Sequence, residues 1–431
     1  MIWNEKVECA QRRKIEDIQS QYLRKLVRHL WDNNVVYKRK LEAAGVMPRA
    51  IKGIHDIRKL PFTTKEDLRD NYPFGIFSDL RNTAEIHVSS GTTGNPTVVG
   101  YTKEDLKLWA EVIARCLGCA GAEPGDMIQI AYGYGLFTGG LGLHYGSLEM
   151  GLKILPTSSG QTRRQLKLMA DFKPRILACT PSYAIYMLDE AKAMGLDPRA
   201  SSWEIGVFGA EPWSESMRRE IENSWNMLAT DIYGLSEIIG PGVAQECKHK
   251  SGLHLNWDVF FPEVIDPRTG EAVREGERGE LVVTTLTKRG IPLLRYRTRD
   301  IVTINYARCK CGRTTPRISK ILGRTDDMLI IRGINVFPSQ IEHVLLGIEG
   351  TMPHYLLVVE REGAMDQLEV WVEVDQRVFS DEIKELRSFE TKVRKAIEDI
   401  LGIEVKVKLV EPKTIERSEG KAKRVLDKRI I

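Results

Sequence analysis

A chain of 431 residues is too long for one ordinary domain and points to two. Apolar residues at 42% and charged residues at 28% exclude wholesale disorder and a fibrous fold, and a net charge of +4 gives no reason to expect a nucleic-acid partner. The N-terminus lacks the order of a signal peptide and no apolar run approaches the ~20 residues that cross a bilayer, so a cytoplasmic protein without a membrane partner is expected. Seven scattered cysteines, an odd number, argue against a disulfide framework.

The first 80 or so residues read as helical, with charges interleaved among Ile, Leu and Trp. Short apolar runs then alternate with amphipathic stretches. Strands are expected at 126–131, 175–180, 204–208 and 228–232, with helices at 165–172 and 182–193. That alternation predicts βαβ units and a largely parallel sheet. From 260 to 304 extended runs (279–285, 301–304) are divided by turn clusters such as Asp266-Pro267-Arg268-Thr269-Gly270, which predicts antiparallel pairing. Beyond Asp326 a helix is expected near Pro338, then strands at 355–360 and 367–374 joined by a turn containing Gly363. A helix over 381–401, with Ser380 as N-cap and Gly402 just past its end, and a strand at 405–409 follow. The chain therefore reads as an α/β protein with a large N-terminal domain over 1–325 and a small α+β domain over 326–431.

The sharpest local signal is Ser89-Ser90-Gly91-Thr92-Thr93-Gly94-Asn95-Pro96-Thr97, between extended runs at 85–88 and 98–101. Two glycines permit a tight turn that aims amide hydrogens inward, and the hydroxyls add donors, the make-up of a polyphosphate cradle. The Gly-Lys-Ser/Thr ending of a Walker A loop is missing. Read alone, the segment is equally a polar surface loop. Downstream stand Phe208-Gly209-Ala210-Glu211-Pro212, Tyr233-Gly234-Leu235-Ser236-Glu237, Tyr296-Arg297-Thr298-Arg299-Asp300, Gly323-Arg324-Thr325-Asp326-Asp327 and Ser418-Glu419-Gly420-Lys421. In this order the segments resemble the adenylate-forming superfamily of acyl-CoA synthetases, luciferases and peptide-synthetase adenylation domains, over nearly the whole chain. The stretch from Ala131 to Gly142, the run from Asp231 to Cys247 and Ile331-Arg332-Gly333-Ile334-Asn335-Val336-Phe337-Pro338 narrow the resemblance to phenylacetate–CoA ligases.

The resemblance implies an ATP-dependent, AMP-forming ligase that activates an aromatic acid as its adenylate and passes the acyl group to coenzyme A. Phenylacetate heads the acids, with indoleacetate, hydroxyphenylacetate and benzoate-like acids behind it. It gives the phosphate cradle to Ser90, Gly91, Thr92, Thr93 and Gly94, and the base pocket to Gly209, Ala210, Glu211 and Pro212. Asp231, Ile232, Tyr233 and Gly234 flank the nucleotide, Asp300 accepts the ribose hydroxyls, and Arg324 approaches ribose or phosphate. Lys421 is the catalytic lysine, and Asp326 the hinge about which the mobile C-terminal lid turns. Arg332 and Gly333 line the coenzyme A channel. Glu237 holds Mg²⁺ through hard carboxylate oxygen. Tyr132, Tyr134, Phe137, Ile238 and Ile239 form the acyl pocket. The residues alone also allow a solvated Lys421 in a basic tail, a helix-start Glu237, an Asp300 paired with Arg295, Arg297 or Arg299, and plain core roles for the pocket residues. His87 and His144 carry no assigned chemistry.

Cys309-Lys310-Cys311-Gly312 resembles a metal-binding turn. With Cys247 and His254 upstream, or His249 in place of His254, it offers a closed structural Zn²⁺ set. Ordinary reduced cysteines are the other reading. Asn95 departs from the lysine that many relatives carry before the proline, and residues 307–317 depart from metal-free members. The competing activities are adenylyl transfer to a deazaflavin cofactor without a thioester, loading of a carrier protein, and a non-catalytic nucleotide sensor. The matches at Glu237, Asp300 and Lys421 speak against the last. The resembling family often forms homodimers.

Overall fold

The computed structural model describes residues 1–89, 95–325, 329–331, 334–362, 365–375, 378, 383–416 and 424–428. Two compact units emerge, one of Met1–Cys179, Ser201–Ala210 and Met227–Lys320, the other of Thr180–Ala200, Glu211–Asn226 and Ile321–Ile431.

The first unit opens with helices. Arg12–Asn33 buries Ile15, Leu23, Leu26, Val27 and Leu30 along one face. Asn34 then caps Val35–Ala43, its side chain accepting from the Tyr37 amide at 3.0 Å. Strands Thr83–Ser89 and Thr97–Thr102 pair antiparallel, Ser89 opposite Thr97, on either side of the expected phosphate cradle. Residues 90–94 themselves lie outside the described residues.

Among the described residues nine strands make the main sheet. Lys153–Leu155, Met127–Ile130, Ile176–Cys179, Ile205–Gly209 and Leu228–Leu235 lie side by side in parallel. Their near-continuous apolar runs are the expected signature of strands covered on both faces. The sheet then continues antiparallel through Gly240–Glu246, Leu253–Leu255, Arg317–Ile318 and Ile304–Asn305. Sequence reasoning did not foresee this extension, because Gly240-Pro241-Gly242 looks like a turn and because Arg317 pairs with His254 across 63 residues, after the chain has passed through another sheet. Phe260–Ile265, Gly279–Thr285 and Tyr296–Val302 form the expected antiparallel region, with all seven residues of Gly279–Thr285 buried.

Helices Lys103–Ala120 and Thr138–Met150 cross closely because the second is rich in glycine. A Cβ on Gly142 would fall 2.4 Å from the Trp109 ring, and one on Gly146 would fall 2.0 Å from Ile113 Cγ2. These glycines are poor helix formers, so propensity hid this helix and packing imposes it.

The second unit holds helices Pro181–Ala193 and Glu215–Trp225, joined by a Trp225 Nε1 hydrogen bond to the Ala184 carbonyl at 3.1 Å. Its sheet runs Lys406–Val410, Met365–Val374, Thr351–Glu362, Val425–Asp427, antiparallel at the centre and parallel at both edges. Helices Pro338–Leu345 and Ile383–Leu401 share its core with Tyr355, Leu357, Val370 and Val372. The αββαβ order matches expectation, and Val425–Asp427 adds an unforeseen edge. Gly363, Ser380 and Asp381 lie outside the described residues. No helix among the described residues is long and apolar enough to cross a membrane.

Candidate active site and candidate metal centre

In open α/β sheets ligands bind beyond the carboxyl ends of parallel strands. Of the expected nucleotide residues, Gly209, Ala210, Asp231, Ile232, Tyr233 and Gly234 lie on or just after two neighbouring parallel strands, Ile205–Gly209 and Leu228–Leu235. Gly209 ends its strand opposite Ile232, and a Cβ on it would meet the Ile232 carbonyl at 2.2 Å. Ala210 follows in the left-handed region at φ 70°, a conformation costly for a residue with a side chain and concentrated at functional turns. Asp231 is buried on the neighbouring strand, its amide donating to Glu246 Oε2 at 3.3 Å. Two residues on, the Tyr233 hydroxyl donates to Asp300 Oδ2 at 2.6 Å, joining the ends of two strands from different sheets. Asp300 is 3% exposed and its amide donates to Thr298 Oγ1. The arginines that could have paired with it have other carboxylates. Arg295 is bidentate to Glu263, Arg297 pairs with Glu280, and Arg299 lies 3.9 Å from Glu66.

Gly234 leads into the turn that carries Glu237. The amides of Ile238 and Ile239 donate to the Leu235 carbonyl at 3.0 and 3.1 Å, closing it. Ser236 Oγ meets Thr138 Oγ1 at 3.0 Å, which sets this turn against the start of the Thr138–Met150 helix. Glu237 is 5% exposed, and its Oε1 lies 3.5 Å from Lys65 Nζ. A carboxylate supplies the hard oxygen donor that Mg²⁺ takes together with phosphate oxygens, so Glu237 fits the expected Mg²⁺ role.

The expected acyl residues divide by exposure. Phe137 is half exposed, Tyr132 is buried, and both rings come within reach of a Cβ placed on Gly139. The Tyr134 hydroxyl lies 3.3 Å from His144 Nδ1. Burial raises the Tyr134 phenol and lowers the His144 imidazole, which favours the neutral form of each. Ile238 and Ile239 are fully buried in the Glu237 turn.

In the second unit the Ser182 amide donates to Glu211 Oε1 at 2.7 Å, Pro212 follows, and Arg324 lies in the short strand Gly323–Arg324. Asp326, Arg332, Gly333 and Lys421 lie outside the described residues.

Sequence reasoning missed two lysines that meet Glu237. Lys65 begins the helix Lys65–Asp70. Lys288 is 2% exposed and donates from Nζ to the Glu237 carbonyl at 3.0 Å. Burial pushes its ammonium down to about 8 against the pull of Asp105 and Glu237. Between the strand Gly279–Thr285 and Ile291-Pro292-Leu293-Leu294, an isolated lysine reads as a turn residue, so only the fold could expose this contact.

A second cluster lies elsewhere in the first unit. The donor atoms of Cys247, His254, Cys309 and Cys311 all lie within 4.8 Å of one another. Cys247 and Cys309 sulfurs are 3.8 Å apart, and Cys311 Sγ is 3.4 Å from His254 Nε2. Tetrahedral Zn²⁺ with bonds of about 2.3 Å to sulfur and about 2.05 Å to nitrogen requires edges of about 3.8 and about 3.5 Å, so the four residues fit that ion. Thr315 Oγ1, 2.9 Å from His254 Nδ1, orients the ring as an outer-shell partner would. The hydrogen bond from Cys247 holds the Cys311 thiol far down, which favours thiolate, the ligating form, at Cys311, and raises the Cys247 thiol that donates it. His254, and not the exposed His249, joins the three sulfurs.

The profile of AMP-binding enzymes matches residues 42–287, and that of the AMP-binding enzyme C-terminal domain matches residues 333–429. The chain is 49% identical over 444 aligned residues to the phenylacetate-coenzyme A ligase of Thermus thermophilus, covering 100% of both chains. It belongs to the phenylacetate–coenzyme A ligase family. The Escherichia coli member is 46% identical, with 100% of this chain and 99% of that protein covered. Among solved structures, this family member superposes on 2-hydroxyisobutyryl-CoA ligase in complex with 2-HIB-AMP in the postadenylation state, with a TM-score of 0.92 at 29% identity, over 99% of this chain and 92% of that one. The same enzyme in complex with 2-HIB-AMP and CoA in the thioesterification state gives 0.73 at 29% identity, again over 99% and 92%.

Proposed function

We propose that this chain is an ATP-dependent, AMP-forming ligase that joins phenylacetate to coenzyme A through phenylacetyl-adenylate. The observation that carries the reading is full-length identity of 44–49% to four phenylacetate-coenzyme A ligases. The same relatives leave the deazaflavin alternative without support.

A carboxylate oxygen of the acid attacks the α-phosphorus, the bond to the bridging oxygen breaks, and pyrophosphate leaves. The thiol of coenzyme A then attacks the acyl carbon, the carbon–oxygen bond breaks, and AMP leaves with the oxygen that came from the acid. Negative charge crowds at the α-phosphate in the first step, and fixed positive charge there lowers the barrier. Lys421 supplies that charge in this reading, with Ser90, Gly91, Thr92, Thr93 and Gly94 cradling the phosphates. Tyr233 occupies one acceptor position on Asp300 Oδ2. An ionised carboxylate has further lone pairs, which lets Asp300 also accept ribose hydroxyls. Gly209, Ala210, Glu211 and Pro212 shape the base pocket, with Asp231, Ile232 and Gly234 beside it and Arg324 on the ribose or phosphate. Glu237 would hold Mg²⁺, which when bound neutralises phosphate charge. Tyr132, Tyr134 and Phe137 face the acyl ring, and Ile238 and Ile239, being fully buried, back that wall.

The division into domains 1–325 and 326–431, with Asp326 as hinge and Arg332 and Gly333 on the coenzyme A channel, belongs to the same proposal. It is supported by the C-terminal-domain profile, which begins at residue 333. Cys247, His254, Cys309 and Cys311 would hold a structural Zn²⁺ away from the reacting groups. A cytoplasmic homodimer completes the reading on the strength of the family resemblance.

The test is AMP and pyrophosphate formation from ATP with a panel of aromatic and aliphatic acids, each with and without coenzyme A. Fast turnover with phenylacetate that needs coenzyme A supports the proposal. Equal AMP release without coenzyme A, or preference for an aliphatic acid, contradicts it.

A further inference from the structure

Lys288 sets an ionisable side chain, 2% exposed, in a place that volume alone would give to Met or Leu. Its surroundings are the Tyr101 ring, whose centroid lies 4.8 Å from Nζ, and the carboxylates of Asp105 and Glu237. Burying an ammonium is unfavourable unless charges and hydrogen bonds compensate, so its presence calls for a use. Asp105, 1% exposed at the start of the Lys103–Ala120 helix, accepts from the amides of Arg289 and Gly290, each at 2.8 Å. The backbone beside Lys288 is thereby pinned. Tyr101 is pinned too, stacked on Trp109 with centroids 4.9 Å apart.

From this base two donors reach the same turn. The Tyr101 hydroxyl donates to the Ser236 carbonyl at 3.4 Å, and Lys288 Nζ donates to the Glu237 carbonyl at 3.0 Å. The Ser236 side chain is held by Thr138. The Leu235, Ser236 and Glu237 carbonyls are thus all engaged, and the Glu237 carboxylate is left to face Lys65. We infer that Lys288 is a positioning residue for adenylation, a buried strut that fixes the Glu237 turn and so aims the carboxylate at the metal ion. The inference rests on the Mg²⁺ reading of Glu237.

Its sign separates it from a simple charge effect. Removing a nearby cation would, by Coulomb attraction alone, tighten Mg²⁺ binding. Loss of a strut weakens it. The experiment is a MgCl₂ titration of pyrophosphate release with ATP and phenylacetate for the wild type, Lys288→Met, Tyr101→Phe and Glu237→Gln, with the thermal midpoint of each. Lys288→Met is expected to raise the half-saturating Mg²⁺ roughly tenfold or more, the size of one hydrogen bond to a charged group. Tyr101→Phe, which keeps the ring face and loses only the hydroxyl, should raise it less. Neither should change KM for phenylacetate. An unchanged or lowered Mg²⁺ requirement in Lys288→Met overturns the inference. If that variant does not fold, an unchanged requirement in Tyr101→Phe overturns it. When Glu237→Gln shifts the requirement and Lys288→Met does not, the strut alone is wrong. When Glu237→Gln leaves it unmoved, the metal reading of Glu237 falls and the inference with it.

Discussion

Replacing Cys309 with alanine tests the zinc reading where its consequence is largest. The cluster joins Cys247 and Cys309 across 62 residues, a span that includes the antiparallel strands Phe260–Ile265, Gly279–Thr285 and Tyr296–Val302. A metal that ties both ends restricts the unfolded chain much as a disulfide does, and for a loop of this length the entropic gain is ~4 kcal/mol. In a unit of this size that corresponds to a loss of roughly 10 °C in the unfolding midpoint. Cys119 packs against the same sulfurs without belonging to the donor set, and its thiol meets the Gln245 carbonyl at 3.7 Å. Cys119→Ala therefore controls for lost packing. The assay is elemental analysis after extensive dialysis, paired with thermal unfolding of the wild type and both variants. One zinc per chain is expected in the wild type and in Cys119→Ala, and none in Cys309→Ala, whose midpoint should fall well below that of the control. A metal-free wild type of undiminished stability, or equal losses in both variants, would refute the reasoning.

Two further outcomes follow from the nucleotide residues. Tyr233→Phe removes a buried hydrogen bond to a carboxylate, worth ~1.5–3 kcal/mol, and should raise KM for ATP about tenfold or more with KM for phenylacetate unchanged; steady-state kinetics varying each substrate in turn would check it, and a shift confined to phenylacetate would contradict the placement. Lys421→Ala should abolish adenylate formation and leave thioester formation from supplied phenylacetyl-adenylate largely intact, as followed by pyrophosphate release and by thioester absorbance in separate assays.

Local signals carried much of the fold. The apolar run 279–285 is a strand with those bounds, and the parallel strands lie where short hydrophobic stretches alternate with amphipathic ones. What could not be read was non-local. Thr138–Met150 is helical because Gly142 and Gly146 accommodate Trp109 and Ile113, a reason written on another helix. The strands after Leu228–Leu235 join the main sheet through pairings such as Arg317 with His254, which no local pattern announces. The candidate site shows the same limit. Tyr233, Glu237 and Asp300 stood out through family motifs, whereas the contacts of Lys65 and Lys288 with Glu237 depend on segments 172 and 51 residues away, as the numbering 65, 237 and 288 gives. The cysteine spacing suggested a metal, and the choice of His254 over His249 came only from the fold.

The central claim is that the acid is activated by becoming the oxygen donor to AMP. Phenylacetate labelled with ¹⁸O in its carboxylate, incubated with the enzyme, ATP and coenzyme A, tests it directly by mass spectrometry of the products. An acyl-adenylate route places one labelled oxygen in AMP for each phenylacetyl-CoA formed. Thioester formation with unlabelled AMP would contradict the account.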